Sequence, residues 1–183
     1  MNWYYYPDNR QKGDPPIGPF SLDQLIKIII EGTIREDTFV VRENPKECHS
    51  ADVFAEISDR LPLDMDNLTK TYLRSCAERE WPVEDWWAWE KANRMVLFRP
   101  DIGWKIIQAL VASAKSDHEL WLVGTGLLWS LLENHGAKYI EATEERAKSD
   151  PQFQQCLGGV DEILSSAEIW ERVQRACAKL KPS

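Results

Sequence analysis

The residue types that most often carry chemistry are few in this chain, and they stand apart. The histidines are His49, His118 and His135. His135 follows Glu133 by two residues where a helix is expected to end, so a protonated imidazole would sit favourably against the C-terminal dipole. That role accounts for it without catalysis. Cys48 and His49, flanked by Glu47 and Asp52, have the right atoms for a metal, but neighbouring side chains point in different directions and no second ligand group is close in sequence. Gly124-Thr125-Gly126 lacks the third glycine and the preceding strand of a dinucleotide loop, and it interrupts an apolar helix where small residues let backbones approach. Cys48, Cys76, Cys156 and Cys177 show no CxxC spacing and read as reduced thiols. The chain is therefore expected to be non-catalytic, with no cofactor and no metal.

Charge narrows the partners. The formal net charge is -8 over 183 residues, and neither half carries a basic stripe. A phosphate backbone would be repelled, so no nucleic acid is expected, whereas an acidic surface suits a basic protein partner. No basic-then-apolar leader opens the chain. Leu120 to Val123 is too short, and too soon interrupted by Gly124, to cross a bilayer. The expectation is a cytoplasmic protein with no membrane contact. Apolar residues make up 43% of the chain, enough to build packed cores.

The elements that must position any site follow from periodicity. Trp3 to Tyr6 is a β-prone aromatic run, followed by a loop rich in Pro and Gly. Ser21 with Gln24 forms a capping box, and Leu22, Leu25, Ile26, Ile29 and Ile30 repeat at helical spacing until Gly32 stops the helix. Thr38 to Arg42 predicts a second strand, Asn44 and Pro45 a turn, and residues 50–57 a helical turn. From Asn67 onward the pattern predicts helices over 67–79, 83–98, 101–114, 117–134, 137–148, 151–157 and 161–180. Pro82 and Pro151 suit first helical positions, Asp150 a cap, Ser116 with Glu119 a second capping box, and Gly136 a terminator. The organisation expected is an α+β domain over 1–58, a linker over 59–66 around Asp59 and Pro62, and an all-α helical bundle over 67–183.

Trp3-x-Tyr5, Gly18-Pro19-Phe20-Ser21-Leu22, Glu31-Gly32-x-Ile34 and Asp37-Thr38-x-Val40 stand in the order and spacing of the bacterial GYF-like domain, which the first 55 or so residues resemble. The resemblance implies a small antiparallel sheet with one helix and a surface groove for proline-rich peptides, whose preformed helix packs on aromatic rings. Ile28, Thr33 and Ile34 occupy positions that are aromatic in GYF domains proper, so Trp3, Tyr5 and Phe20 are the aromatics that remain. The helical part resembles a bacterial family of unknown function through Pro100 and Trp104, then Gly126, Leu128, Leu131, Leu132, His135 and Gly136, then Ala147, Asp150, Pro151 and Phe153.

The candidate partner-binding residues are thus Trp3, Tyr5, Phe20, Ile28, Thr33 and Ile34, and for Trp3 and Phe20 two readings stand: a peptide-binding face, or the core of a domain this small. Trp87 is the seventh. On a helix Trp86, Trp87 and Trp89 lie at about 0, 100 and 300 degrees, so Trp87 points away from the other two. It either packs on a different helix or anchors a partner. The function expected is a protein-protein interaction factor, an adaptor or recruiting module that takes a partner protein or extended peptide through the GYF-like domain. The alternative is an immunity or antitoxin-like inhibitor that neutralises a bacterial toxin by direct binding.

Overall fold

The structure is a computed structural model that describes residues 1–7, 14–35, 38–43, 46–58, 60–61, 63–77 and 85–177. The chain divides into two compact units, Met1–Leu63 and Asp64–Ser183. The first is α+β, built on a four-stranded antiparallel sheet, and the second is helical throughout its described elements.

In the first unit the strands are β1 (Trp3–Tyr5), β2 (Ile17–Phe20), β3 (Phe39–Arg42) and β4 (Glu47–Ser50), in the spatial order β2-β1-β3-β4. Alternation along β1 turns Trp3 and Tyr5 toward the core and Tyr4 the other way. The helix α1 (Leu22–Ile30) covers that core with Leu25, Ile26 and Ile29. Its start is closed reciprocally: the Gln24 amide donates to Ser21 Oγ at 3.2 Å, and the Ser21 amide donates to Gln24 Oε1 at 2.8 Å. It ends at Gly32, whose φ of 73° is costly for any residue with a Cβ. A 3-10 turn (Ala51–Val53) and α2 (Ala55–Ser58) close the unit with Ala51, Phe54 and Ile57 buried.

Two strands depart from the sequence expectation. β2 lies inside the stretch read as loop, because an edge strand tolerates Pro19 and because Gly18 meets the Tyr4 ring so closely that an added Cβ would be 2.6 Å from it. β4 is polar, yet Val40, Val41 and Arg42 of β3 pair with His49, Cys48 and Glu47.

The second unit comprises α3 (Met65–Ala77), α4 (Trp86–Phe98), α5 (Pro100–Ser113), α6 (Asp117–Val123), a π-helical turn (Gly124–Leu128), α7 (Trp129–Ser149), α8 (Pro151–Leu157) and α9 (Ala167–Cys177). Its core is dominated by Ile106, Ile107, Leu110, Leu127, Leu128 and Leu131, all fully buried. The Ser116–Glu119 capping box is present, and Asp150 accepts from the amides of Gln152 and Phe153 at 3.0 and 3.2 Å with Pro151 first in α8.

The helix break expected at Gly136 is present one residue earlier, as a kink that joins two helical stretches. The chain leaves helical geometry at His135 alone (φ -136°, ψ 20°) and resumes, so α7 runs on to Ser149 with a kink. Gly136 is small because Ile169 of α9 packs on it: an added Cβ would be 3.1 Å from Ile169. Residues 161–166 are not helical. The Leu164 amide donates to Glu133 Oε2 at 2.9 Å and Ser165 Oγ donates to the Glu133 carbonyl at 2.7 Å, which pins this stretch before α9 begins. The expected turn at Asn44 and Pro45, the helix start at Pro82, the linker residues Asp59 and Pro62, and Asp37 of the GYF-like motif lie outside the described residues.

Candidate functional site

The sheet of the first unit separates its candidate residues into a floor and a platform. Trp3 is 1% exposed, with its ring edge-on to Phe54 at 5.0 Å and 89°. Its Nε1 is buried without a hydrogen-bond partner among the described residues. Ile34 is also buried, so these two side chains belong to the core. Tyr5 and Phe20 stay half-buried and stack at 5.8 Å with 22° between their planes. A bulge between Trp3 and Tyr5 shifts the register of β1 on β2: Trp3 lies opposite Phe20, and Tyr5 opposite Ile17. Bulges re-aim side chains in this way. Half-buried Ile28 packs on the same cluster. Exposed Thr33 joins it through its amide, which donates to the Ile28 carbonyl at 3.0 Å. The structure therefore puts Trp3 and Ile34 in the core, stacks Tyr5 on Phe20, and leaves Ile28 half-buried against the core cluster and Thr33 exposed.

Stacked rings of this kind offer ring-face contact to an extended chain. Arg42 closes the far side of the platform. Its guanidinium lies 5.2 Å from the Phe54 ring centre, donates to Glu56 at 2.6 Å and also pairs with Glu47.

The second unit carries three polar clusters that the sequence did not single out. Asp85, buried at the start of α4, accepts from Arg74 Nε at 2.9 Å, from a second Arg74 nitrogen and from Ser75 Oγ at 3.1 Å. The Arg74 hydrogen bonds hold its carboxyl below the usual range, aided by Ser75 and opposed by burial. Asp101 accepts from Lys138 at 2.8 Å and from the Tyr139 hydroxyl at 2.6 Å, and the Lys138 hydrogen bond leads in lowering its pKa. Glu144 takes two hydrogen bonds from Arg172, at 2.9 and 2.6 Å, and is held down by them. In each case a cation donates to the ionised form and stabilises it. The signal available in sequence was slight, since the partners lie 10 to 38 residues apart.

The histidines are each engaged by structure. His135 Nε2 lies 2.9 Å from the Leu97 carbonyl, which can only accept, so that nitrogen carries a proton. The ring borders a cleft of about 470 Å³ between α7 and α9 that also includes Glu133, Ser165, Ser166 and Arg172. The His118 ring stacks on Trp121 at 6.3 Å, and the His49 ring lies 5.8 Å from Phe54. Among the described residues no group of three or more His, Cys, Asp or Glu side chains is placed to hold a metal ion, and no helix is long and apolar enough to cross a membrane.

Trp87 stands on the exposed side of α4, as do Trp86 and Trp89, whose rings meet at 4.9 Å. Trp87 is 41% exposed there.

Residues 76–180 match a family described only as a family of unknown function, DUF6869, a stretch that contains every residue of the Pro100–Phe153 pattern and lies beyond the N-terminal unit. No curated protein and no solved structure matches the chain.

Proposed function

The chain belongs to the DUF6869 family of unknown function, and from that premise we propose that it is a non-catalytic interaction protein whose N-terminal unit, GYF-like in the order of its motifs, takes an extended peptide segment of a partner. The reading is carried by one observation, the half-buried stacked pair Tyr5 and Phe20. Stacked rings present a flat apolar surface that receives a proline or aliphatic side chain with little entropy to lose. Ile28 and Thr33 replace aromatic walls at its rim, so the preference is for an extended segment with apolar contacts rather than for a strict proline-rich repeat. Trp3 and Ile34 support the platform from below instead of touching the ligand.

The test is a titration of the isotope-labelled full chain with two extended peptides, one proline-rich and one valine-rich, followed by backbone amide shifts. Shifts are expected at Tyr5, Ile28 and Thr33. Tyr5→Ala should weaken binding by about tenfold or more with the fold intact, as loss of an anchoring ring does. Trp3→Ala should instead lose about 3–5 kcal/mol of stability, so its binding loss reports unfolding. Neither peptide shifting those amides sinks the reading. If a basic protein binds with association rates that collapse in salt and ignore Tyr5→Ala, the inhibitor alternative stands in its place.

A further inference from the structure

We propose that the cleft between α7, α8 and α9 binds a small organic oxyanion, a phosphate monoester or a carboxylate, through Arg172, Arg175 and Lys148. The cleft measures about 460 Å³, within the ~300–1,000 Å³ range of small-molecule sites. Lys148 of α7, Gln154 of α8, and Arg172 and Arg175 of α9 line it together with one carboxylate, Glu144. Three cations against one anion leave an excess of positive charge here, in a chain whose net charge is -8. Ala147 and Ala176 complete the lining, so a carbon skeleton finds contact beside the charge. A polyanion is still repelled by the chain as a whole, but a small anion responds to the local field.

Glu144 shows how the cleft treats an oxyanion. Arg172 grips its carboxylate side-on, through Nε at 2.9 Å and one terminal nitrogen at 2.6 Å. Those hydrogen bonds lead in holding the carboxyl below its usual range, and the charges of Arg175 and Lys148 add to them, so all three cations act on one point. One guanidinium edge already satisfies Glu144, which leaves donors over. The second terminal nitrogen of Arg172 makes no hydrogen bond among the described residues. Arg175 makes no ion pair among them either; its Nε reaches the Glu171 carbonyl at a long 3.4 Å, and both terminal nitrogens remain for a ligand. Lys148 pairs with Glu145 at 2.5 Å, but the two side chains are 54% and 73% exposed. Such exposed pairs hold little, so the ammonium can turn to a ligand. A guanidinium edge matches two oxygens of a phosphate or carboxylate in one plane, which is why the unused donors select that class.

Phenyl phosphate and benzoate share a ring and differ in the oxyanion, so they serve as the two probes. Each is titrated into the isotope-labelled full chain while the arginine Nε–H resonances are followed, with ionic strength held constant by sodium chloride so that screening does not change. Saturable shifts are expected at Arg172 and Arg175. Saturation by phenyl phosphate alone assigns the site to phosphate monoesters, and saturation by benzoate assigns it to carboxylates. Arg175→Gln should weaken binding by about tenfold or more, as loss of a charged donor does. Glu144→Gln should tighten it severalfold, because the anion that competes for Arg172 is gone. The same variant should melt lower, so binding and stability move in opposite directions. Cations placed in the last turns of α7 and α9 only to face the helix dipoles would show neither saturation nor that opposition. Neither probe saturating overturns the proposal. So does an Arg175→Gln chain that binds as the wild type does, or a Glu144→Gln chain, folded by far-UV circular dichroism, that binds more weakly.

Discussion

Gly124 rests against the backbone of Cys156: a Cβ built on Gly124 would lie 2.1 Å from the Cys156 carbonyl oxygen and 3.2 Å from the Cα of Gly159. The π-helical turn of Gly124–Leu128 therefore packs directly on the end of α8, backbone to backbone. Among the described residues a Cβ on Gly126, two residues on, would have only the Tyr72 hydroxyl near, at 3.7 Å.

The two glycines should respond oppositely to alanine. Gly124→Ala forces the two helices apart, because a carbonyl of fixed backbone cannot rotate away as a side chain can. Overpacking of this kind costs about 1–3 kcal/mol. Gly126→Ala meets no obstacle and removes a residue of poor helix propensity, so its effect should stay within about 0.5 kcal/mol or be stabilising. Urea denaturation of both variants checks this; equal losses would mean that the Gly124 contact is not what the substitution disrupts.

Local chemistry made much of this architecture legible. The Ser21–Gln24 and Ser116–Glu119 boxes, Asp150 ahead of Pro151, and Gly32 each act within a few residues, and each is where its element begins or ends. What could not be read depends on distant partners. β2 is a strand because Trp3 and Tyr5 pair with it, although Gly18 and Pro19 alone read as a loop. The break beside Gly136 was legible, but the contact with Ile169, more than thirty residues away, which also requires a small residue there, was not. The same holds for the site residues: period-two alternation put Trp3 and Tyr5 on one face, yet only the bulge beside Phe20 distinguishes the buried ring from the half-buried one. Nor did tryptophan content tell core from surface in α4: the helical angle set Trp87 apart from Trp86 and Trp89, yet all three are exposed.

Acid should loosen the second unit through its paired carboxylates. Asp85 and Glu144 are both held below their usual pKa by arginine hydrogen bonds. A carboxyl depressed in the folded state contributes stability that is complete above the unfolded value, near 3.9 for Asp and 4.3 for Glu, and is lost as pH falls through the folded value. Chemical denaturation should thus show stability nearly flat from about pH 7 to 5 and declining below about 4. Asp85→Asn should be less stable at neutral pH, since Arg74 loses its ionised partner, and should show a shallower acid decline. An unchanged acid slope in that variant would remove Asp85 from the account.

The four cysteines should react in an order set by burial. Cys48 is exposed on β4, Cys177 half-buried, and Cys76 and Cys156 buried. Burial pushes the thiols of Cys76 and Cys156 up to about 12, with Glu119 and Asp150 adding smaller pushes, and raises Cys177 as well. Only the thiolate attacks an alkylating agent, and at pH 8 a thiol titrating near 12 is ionised about once in ten thousand. Access and ionisation therefore act in the same direction for the two core thiols. Iodoacetamide followed by peptide mass mapping should label Cys48 first, Cys177 slowly, and Cys76 and Cys156 only once denaturant has unfolded the second unit. Because Cys156 carries the carbonyl on which Gly124 sits, its labelling also reports the separation of α8 from the π-helical turn: Gly124→Ala should speed modification of Cys156 while leaving Cys48 at the wild-type rate. Equal rates at Cys156 in the two proteins would show that the turn and α8 separate only on complete unfolding.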